Sequence, residues 1–470
     1  MQMLDKLAAI TGAAHVLTGD DLARYSADWT NHYHWTPLAV VRPRSTAEVS
    51  AILKLAHDTD TPVVPVAGNT GLNGGTSADG ALMLSLERMN TIREIRPEAR
   101  IAIVEAGVIL SQLHDAAEEL DLLFPLYFGA RGSAMIGGVL STNAGGSNVV
   151  RYGSTRHLCL GLEVVLADGR VMNLQTELHK DNSGYDLKNL MIGAEGTLGI
   201  ITGAIMKLHP KPRAYATAMV AAPDLDAALT LLNRLQQATG GQVEAFEYMP
   251  RIYLETLKTK FPDTREPFEI PHQVNILTEI ATTVPAQAVA DDSGEVPLTA
   301  QLETTIAELL EDGLALDAVV AQNEAQRREM WDRRERAGEV LLHAKRLVNH
   351  DVSVPVDRVS TFLNRMTQRL AELDAGAQDC TVSHLGDGNI HYAVWPSTDD
   401  KAVHVAITEA VEDVTLDLGG SFSAEHGIGL SKLGSMARRK DPVALEMMRA
   451  LKAAFDPKGI LNPGKVLPPA

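Results

Sequence analysis

The stretch Val63-Val-Pro-Val-Ala-Gly-Asn-Thr-Gly-Leu-Asn-Gly-Gly-Thr-Ser77 constrains this chain more than any other. A β-branched run gives way to four glycines within eight residues. Glycine is favoured where backbone turns left-handed or approaches a ligand closely, because no Cβ intervenes. Successive N–H groups in such a turn form a concavity that suits a diphosphate. Taken alone, the stretch is equally a tight turn between strands. Its spacing is neither GxGxxG nor GxxxxGK[ST], which sets aside dinucleotide Rossmann and Walker chemistry. Two further glycine-rich runs follow. One is Gly129–Gly138 with Asn143-Ala-Gly-Gly146, and the other is Gly193-Ala-Glu-Gly-Thr-Leu-Gly199. Three such loops between residues 63 and 199 exceed what turn-making requires.

A chain of 470 residues is too long for one core and divides into two or three domains. The net charge of −18 argues against nucleic acid or an anionic membrane surface as partner. Cys159 and Cys380 are the two cysteines, so a reducing compartment without disulfides is expected. The first residues lack a basic stretch followed by an apolar core, and no apolar segment reaches the ~20 residues of a spanning helix. A cytoplasmic protein is expected.

Periodicity lays out the first third. A helix is expected near the start, then a short strand at Leu38–Pro43, and a helix Ala47–His57 capped by Thr46. Strands follow at Ala81–Leu86 and Arg100–Glu105, with a helix at Ile109–Leu120. Asp168-Gly169 turns a hairpin, and the third glycine loop feeds a strand at Ile200–Leu208. His209-Pro-Lys-Pro212 marks the first boundary. The middle third reads strand Ala214–Ala221, helix Leu225–Gln237, strands Gln242–Tyr248 and Gln273–Ile280, helix Pro297–Glu311 and strand Leu316–Ala321. That β-α-β-β-α-β order predicts a ferredoxin-like sheet. The acidic piece Ala281–Glu295 reads as a surface connection. A charged helix is expected over Glu324–Lys345. Most of its arginines read as one solvated face.

Chemistry concentrates near the C-terminus. Thr381–Trp395 has a hairpin pattern turning at Gly386–Asn389, which sets His384 opposite His391. Two hairpin histidines that merely pack are the simpler reading of this pair alone. The second cluster, Ser421-Phe-Ser-Ala-Glu-His-Gly-Ile-Gly429, adds a third ligand and a titratable base. Two His and one Glu with an open position form a catalytic metal arrangement. Adjacent Glu425 and His426 would point oppositely if extended, so a bend is expected there, with Gly427 permitting it.

Together these motifs are specific. The chain resembles the FAD-linked oxidases with the vanillyl-alcohol-oxidase type flavin domain, on the branch of D-lactate, glycolate and D-2-hydroxyglutarate dehydrogenases. The resemblance spans nearly the whole chain. It rests on the 67–72 loop, Gly137-Gly138 with 143–146, 193–199, HLGDGNIH at 384–391, SAEHGIG at 423–429 and DPKGILNPGK at 456–465. It implies an α+β fold: an FAD domain of two subdomains (1–210), a ferredoxin-like substrate domain carrying the metal hairpin (211–419), and a C-terminal segment (420–470) returning to the flavin. Carried over by residue, Gly68, Asn69, Thr70, Gly71 and Leu72 bind the FAD diphosphate. Pro65, Gly137, Ser141, Asn143 and the Glu195, Gly199, Ile200 region touch flavin or adenosine, and Asn462 approaches the ring. Asn69 stands where some relatives attach flavin through His, so noncovalent FAD is implied. The implied metal ligands are His384, His391 and Glu425, with zinc first and manganese, iron or cobalt as alternatives. His426 is the implied general base, and Arg334 the carboxylate-binding arginine. The implied partners are a small 2-hydroxy acid and an electron-transferring flavoprotein or quinone, in a homodimer.

One departure bears on the substrate. D-2-hydroxyglutarate enzymes hold the distal carboxylate with a Thr, a Lys and an Asn, and those positions here are Gly338, Asn349 and Ala393. A buried carboxylate without partners costs several kcal/mol. A monocarboxylic D-2-hydroxy acid such as D-lactate is therefore expected, with D-2-hydroxyglutarate second. Arg333, Arg336 or His350 are the residues able to rebuild the anchor. Two other readings are a metal-free aryl-alcohol or aldose oxidase, which should lack the His-His-Glu set, and a non-enzymatic flavin-binding protein.

Overall fold

A computed structural model describes residues 3–292, 294–341 and 344–469. Two sheets carry the first part of the chain. In one, Ala39–Val41, Leu82–Ser85 and Val63–Val66 pair in parallel, with Val16–Leu17 antiparallel at the edge. Its strands are almost wholly buried, as a covered parallel sheet requires. The other sheet is antiparallel, in the order Ile92–Arg96, Ile101–Glu105, Ile200–Lys207, Cys159–Val165, Val171–Leu174. The expected hairpin at Asp168-Gly169 joins its last two strands. Strand Ile92–Arg96 was not expected. Its run Ile-Arg-Glu-Ile-Arg is too charged to read as a strand, and only its pairing to Ile101–Glu105 makes it one.

The C-terminus returns to the first sheet. Val63 N–H donates to Ile460 O at 2.8 Å, and Asn462 N–H to Val63 O at 2.8 Å. The tail thus adds itself to the strand that leads into the first glycine loop.

The third sheet begins with the order Asp317–Val320, Ala214–Ala222, Val274–Thr282, Val243–Pro250. This is the ferredoxin-like arrangement that the element order predicts, packed on helices Leu225–Thr239 and Pro297–Glu311. Val382–His384, Asn389–Trp395 and Val348–Ser353 extend it, and Gln378–Asp379 pairs with Asn389–Trp395.

Four expectations are corrected. Ser45, not Thr46, caps the helix Thr46–Asp58, because its side chain accepts from Glu48 N–H. Helix Arg251–Lys260 lies where no element was expected. The charged helix runs Glu324–Glu335, breaks at Arg336, and resumes as Ala337–Leu341; residues 342 and 343 of the expected span lie outside the described residues. In the hairpin, His384 pairs with Asn389 and His391 with Val382. The two histidines are therefore diagonal neighbours, not opposite ones. The ladder pairs up to His384 and Asn389, which leaves only 385–388 for the turn and shifts the register.

Candidate active site

A cavity of about 760 Å³ runs between the glycine loops and the third sheet. Pro65, Gly68, Asn69, Thr70, Gly71, Leu72, Gly137, Ser141, Glu195, Gly199, Ile200 and Asn462 line it, as do Arg334, His384, His391, Glu425 and His426. Two glycines of the first loop differ in what they face. A Cβ on Gly68 would lie 2.1 Å from Ser133 O, so this glycine lets two loops touch. A Cβ on Gly71 would meet nothing within 4 Å, which leaves open space along the cavity wall. Asn69 is left-handed (φ 52°), and its side chain is held by Ala27 O at 2.9 Å and Thr76 Oγ1 at 2.7 Å.

Asn143 stands apart from the cavity wall. It ends helix Ile136–Thr142 at φ 51°, and its Oδ1 accepts from Arg156 N–H at 2.9 Å and Ser154 Oγ at 3.2 Å. Its side chain is spent on holding the loop. Glu195 lines the cavity, but its carboxylate accepts from Ile428 N–H (2.7 Å) and Gly429 N–H (2.9 Å). Burial raises its pKa, and those donors oppose the rise. Asn462 Nδ2 donates to Gly75 O and Glu195 O, while its Oδ1 is buried without a partner among the described residues.

Across the cavity, three imidazoles surround one carboxylate oxygen. Glu425 Oε1 lies 3.6 Å from His391 Nε2, 3.9 Å from His426 Nε2 and 4.0 Å from His384 Nε2. A tetrahedral ion with bonds of about 2.0–2.2 Å sets its ligand atoms about 3.3–3.6 Å apart. The His384 and His391 rings meet edge to face at 5.1 Å, and His391 stacks on His426 at 5.6 Å. His384 Nδ1 hydrogen-bonds Glu247 Oε1 at 2.8 Å, which leaves Nε2 as the donor toward a metal. Burial opposes charge on His384, yet the Glu247 carboxylate raises its pKa to about 9.

Beneath this cluster lies buried Asp351. Its Oδ2 accepts from the N–H groups of Glu425 (2.9 Å) and His426 (2.8 Å), and its Oδ1 from Asn389 Nδ2 (2.8 Å). The expected bend at 425–426 is built here, with Gly427 at φ 73°. Burial alone would raise the Asp351 carboxyl, but His426, Lys432, His391 and the N–H donors hold it far below the carboxylate range. Among the described residues, Asp351, His391, Glu425 and His426 form the group whose ligand atoms all lie within 4.8 Å of one another, and His384 stands outside it. Asp351 has already given its oxygens to three N–H groups, so it fits the role of support better than that of ligand.

Arg334 is buried, with Nε 2.7 Å from Glu247 Oε2 in an ion pair too bent for a hydrogen bond. Its Nη2 has no partner among the described residues, and the side chain lines the cavity. The other candidate cations lie elsewhere. Arg333 binds Arg265 O and Glu329, and Arg336 pairs with Asp332 over the Phe261 ring. His350 is half-buried and lies outside the cavity wall.

A family model described as FAD linked oxidases, C-terminal domain, matches residues 211–466, and one described as FAD binding domain matches residues 37–175. The chain belongs to the FAD-linked oxidases. It is 34% identical to the D-2-hydroxyglutarate dehydrogenase of Stutzerimonas stutzeri, covering 99% of this chain and 98% of that protein. It is 36% identical to the mitochondrial D-2-hydroxyglutarate dehydrogenase of Bos taurus, covering 99% and 84%. Among solved structures, p-cresol methylhydroxylase superposes with a TM-score of 0.73 at 18% identity, covering 98% of this chain and 96% of that one. An alkyldihydroxyacetonephosphate synthase gives 0.72 at 18% identity, covering 99% and 86%. At that identity the structures speak for the fold alone. This FAD-linked oxidase is an oxidoreductase that acts on CH–OH groups.

The residues present fit both groups that the family implies. For FAD, Gly71, whose Cβ would meet open space, and Asn462 line one cavity, and Asn462 Oδ1 is buried without a partner among the described residues. For a metal, His391 Nε2 and His384 Nε2 stand 3.6 and 4.0 Å from Glu425 Oε1, and His384 is backed by Glu247. Sequence reasoning missed Glu247, Asp351 and Asn73. Asn73 Nδ2 donates to His426 O (2.9 Å) and Gly427 O (2.8 Å), which ties the first glycine loop to the histidine loop. Its signal was available as the polar residue between Gly71 and Gly74. Glu247 and Asp351 looked like ordinary charges in mixed strands, and only the pairing of Val243–Pro250 with Val382–His384 brings Glu247 to His384.

Proposed function

We propose that this protein oxidises a monocarboxylic D-2-hydroxy acid to the 2-oxo acid, using noncovalent FAD and a divalent metal, zinc first. When bound, FAD accepts the hydride and the metal acidifies the substrate hydroxyl. The chain's residues do the rest. His384, His391 and Glu425 would hold the metal, and residues 68–72 the diphosphate. Arg334 pairs with the substrate carboxylate and fixes C2, its free Nη2 supplying the hydrogen bond. His426 takes the hydroxyl proton on Nε2. Its Nδ1 faces Asp351 Oδ2 at 3.8 Å, which favours the tautomer with the proton on Nδ1. The electron acceptor, a flavoprotein or quinone, and a cytoplasmic homodimer belong to the same reading.

The observation that carries the substrate assignment is the cavity's charge. Arg334 is the only Arg or Lys among the described residues lining it, while Glu335 and Glu339 line it as well. One carboxylate has a cationic partner there, and a second has no cation among the described residues. D-2-hydroxyglutarate is the second reading, supported by the names of the relatives at 34–36% identity. Relative kcat/KM for D-lactate, D-2-hydroxybutyrate and D-2-hydroxyglutarate with a dye acceptor decides between them. Preference for the monocarboxylates is expected, and preference for the dicarboxylate would establish the second reading.

A further inference from the structure

Gly338 lies four residues beyond Arg334, on the short helix Ala337–Leu341, and both residues line the cavity. A Cβ built on Gly338 meets nothing within 4 Å, and its φ lies outside the left-handed region. Neither packing nor backbone conformation requires glycine there. Gly338 is exposed to the open side of the cavity, so what the missing side chain leaves is open space four residues past the carboxylate arginine.

Apolar residues line the same cavity. Trp331, Leu341 and Val382 line the cavity and belong to or pack on one buried apolar cluster. The Trp331 indole is held in place: its Nε1 donates to Glu279 Oε2 at 2.8 Å, and Arg327 holds the same carboxylate through bonds of 2.7 and 2.8 Å. The rim is acidic. Glu335 pairs with Arg131 at 3.2 Å, and the Glu339 carboxylate has no partner among the described residues.

Resting on the functional reading above, we propose that Gly338 opens a slot for an apolar tail longer than a methyl group, walled by Trp331. Glu339, the carboxylate without a partner among the described residues, turns away substrates carrying a second carboxylate. The preferred substrates are then D-2-hydroxy acids with branched aliphatic or aromatic side chains. A methylene added to or removed from an apolar pocket changes specificity by about 10- to 200-fold. Like charge on a rim disfavours an incoming anion.

The test uses FAD-loaded wild type, Gly338→Val, Gly338→Ala and Glu339→Gln, with D-lactate, D-2-hydroxyisocaproate and D-2-hydroxyglutarate and a dye acceptor. Flavin absorbance reports that each variant is folded and loaded. Gly338→Val should lower kcat/KM for D-2-hydroxyisocaproate relative to D-lactate by about tenfold or more, with Gly338→Ala moving the ratio the same way by less. Glu339→Gln should raise D-2-hydroxyglutarate relative to D-lactate several-fold. Equal losses on all three acids in the Gly338 variants, or an unchanged ratio in Glu339→Gln, would overturn the slot while wild-type turnover left the functional reading standing. A wild type that oxidises no 2-hydroxy acid would overturn the functional reading and the slot with it.

Discussion

The two walls of the cavity are built by opposite means. The flavin wall is made of loops whose glycines expose backbone and whose polar side chains are spent on the protein: Asn69 binds Ala27 and Thr76, and Asn143, behind the wall, binds Ser154 and Arg156. The histidine wall is made of buried charge: Glu247 under His384 and Arg334, and Asp351 under His426 and Glu425. Backbone donors need glycine at fixed places, and that requirement is written locally in the sequence. Buried charges need partners from distant strands, and those partners are set only by the fold. The first wall should respond to substitution through cofactor occupancy and local packing, the second through chemistry and global stability.

The largest expected effect falls on the histidine wall. His426→Ala should keep FAD and metal yet lose turnover by roughly 10²–10⁴-fold, as for a removed general base. His384→Ala and Glu425→Ala should lose metal and turnover together while keeping FAD. Metal analysis beside flavin absorbance separates the two cases. If His426→Ala loses its metal as well, the division between ligand and base is wrong.

Asp351→Ala should come next. It leaves three N–H donors and the charges of its neighbours without their carboxylate, and breaking a buried pair costs about 3–5 kcal/mol. Denaturant titration reads this directly. A variant as stable as wild type would mean that Asp351 does not hold the 425–426 bend.

The flavin wall offers a finer contrast inside one loop. Gly68→Ala forces a Cβ against Ser133 O and should cost about 1–3 kcal/mol of stability. Gly71→Ala meets open space in the protein, so apoprotein stability should hold while FAD affinity falls. Equal effects of the two on the apoprotein would erase the contrast. Smallest is the attachment test. Asn69 has no ring nitrogen to bond the flavin, so acid precipitation should release all the yellow colour to the supernatant.

Legibility in the sequence followed the same division. The ferredoxin-like order was readable because each strand and helix carries its own periodicity. The glycine loops and the HLGDGNIH and SAEHGIG segments were readable as motifs. The register of the histidine hairpin was not, because it depends on where the ladder stops short of the turn. The break at Arg336 was not either, since no proline or glycine stands at that position and Gly338 comes two residues later. Glu247 and Asp351 were invisible because a charged residue in a strand reads as solvated until its neighbours are known.

The most direct measurement mixes purified, FAD-loaded protein anaerobically with a D-2-hydroxy acid and follows the flavin absorbance, before and after chelation. Bleaching is expected with the D acid and not with the L acid. Chelation should abolish bleaching while FAD stays bound, and added divalent metal should restore it. Undiminished bleaching in metal-free protein, or none with any 2-hydroxy acid in metal-replete protein, would contradict the proposed function.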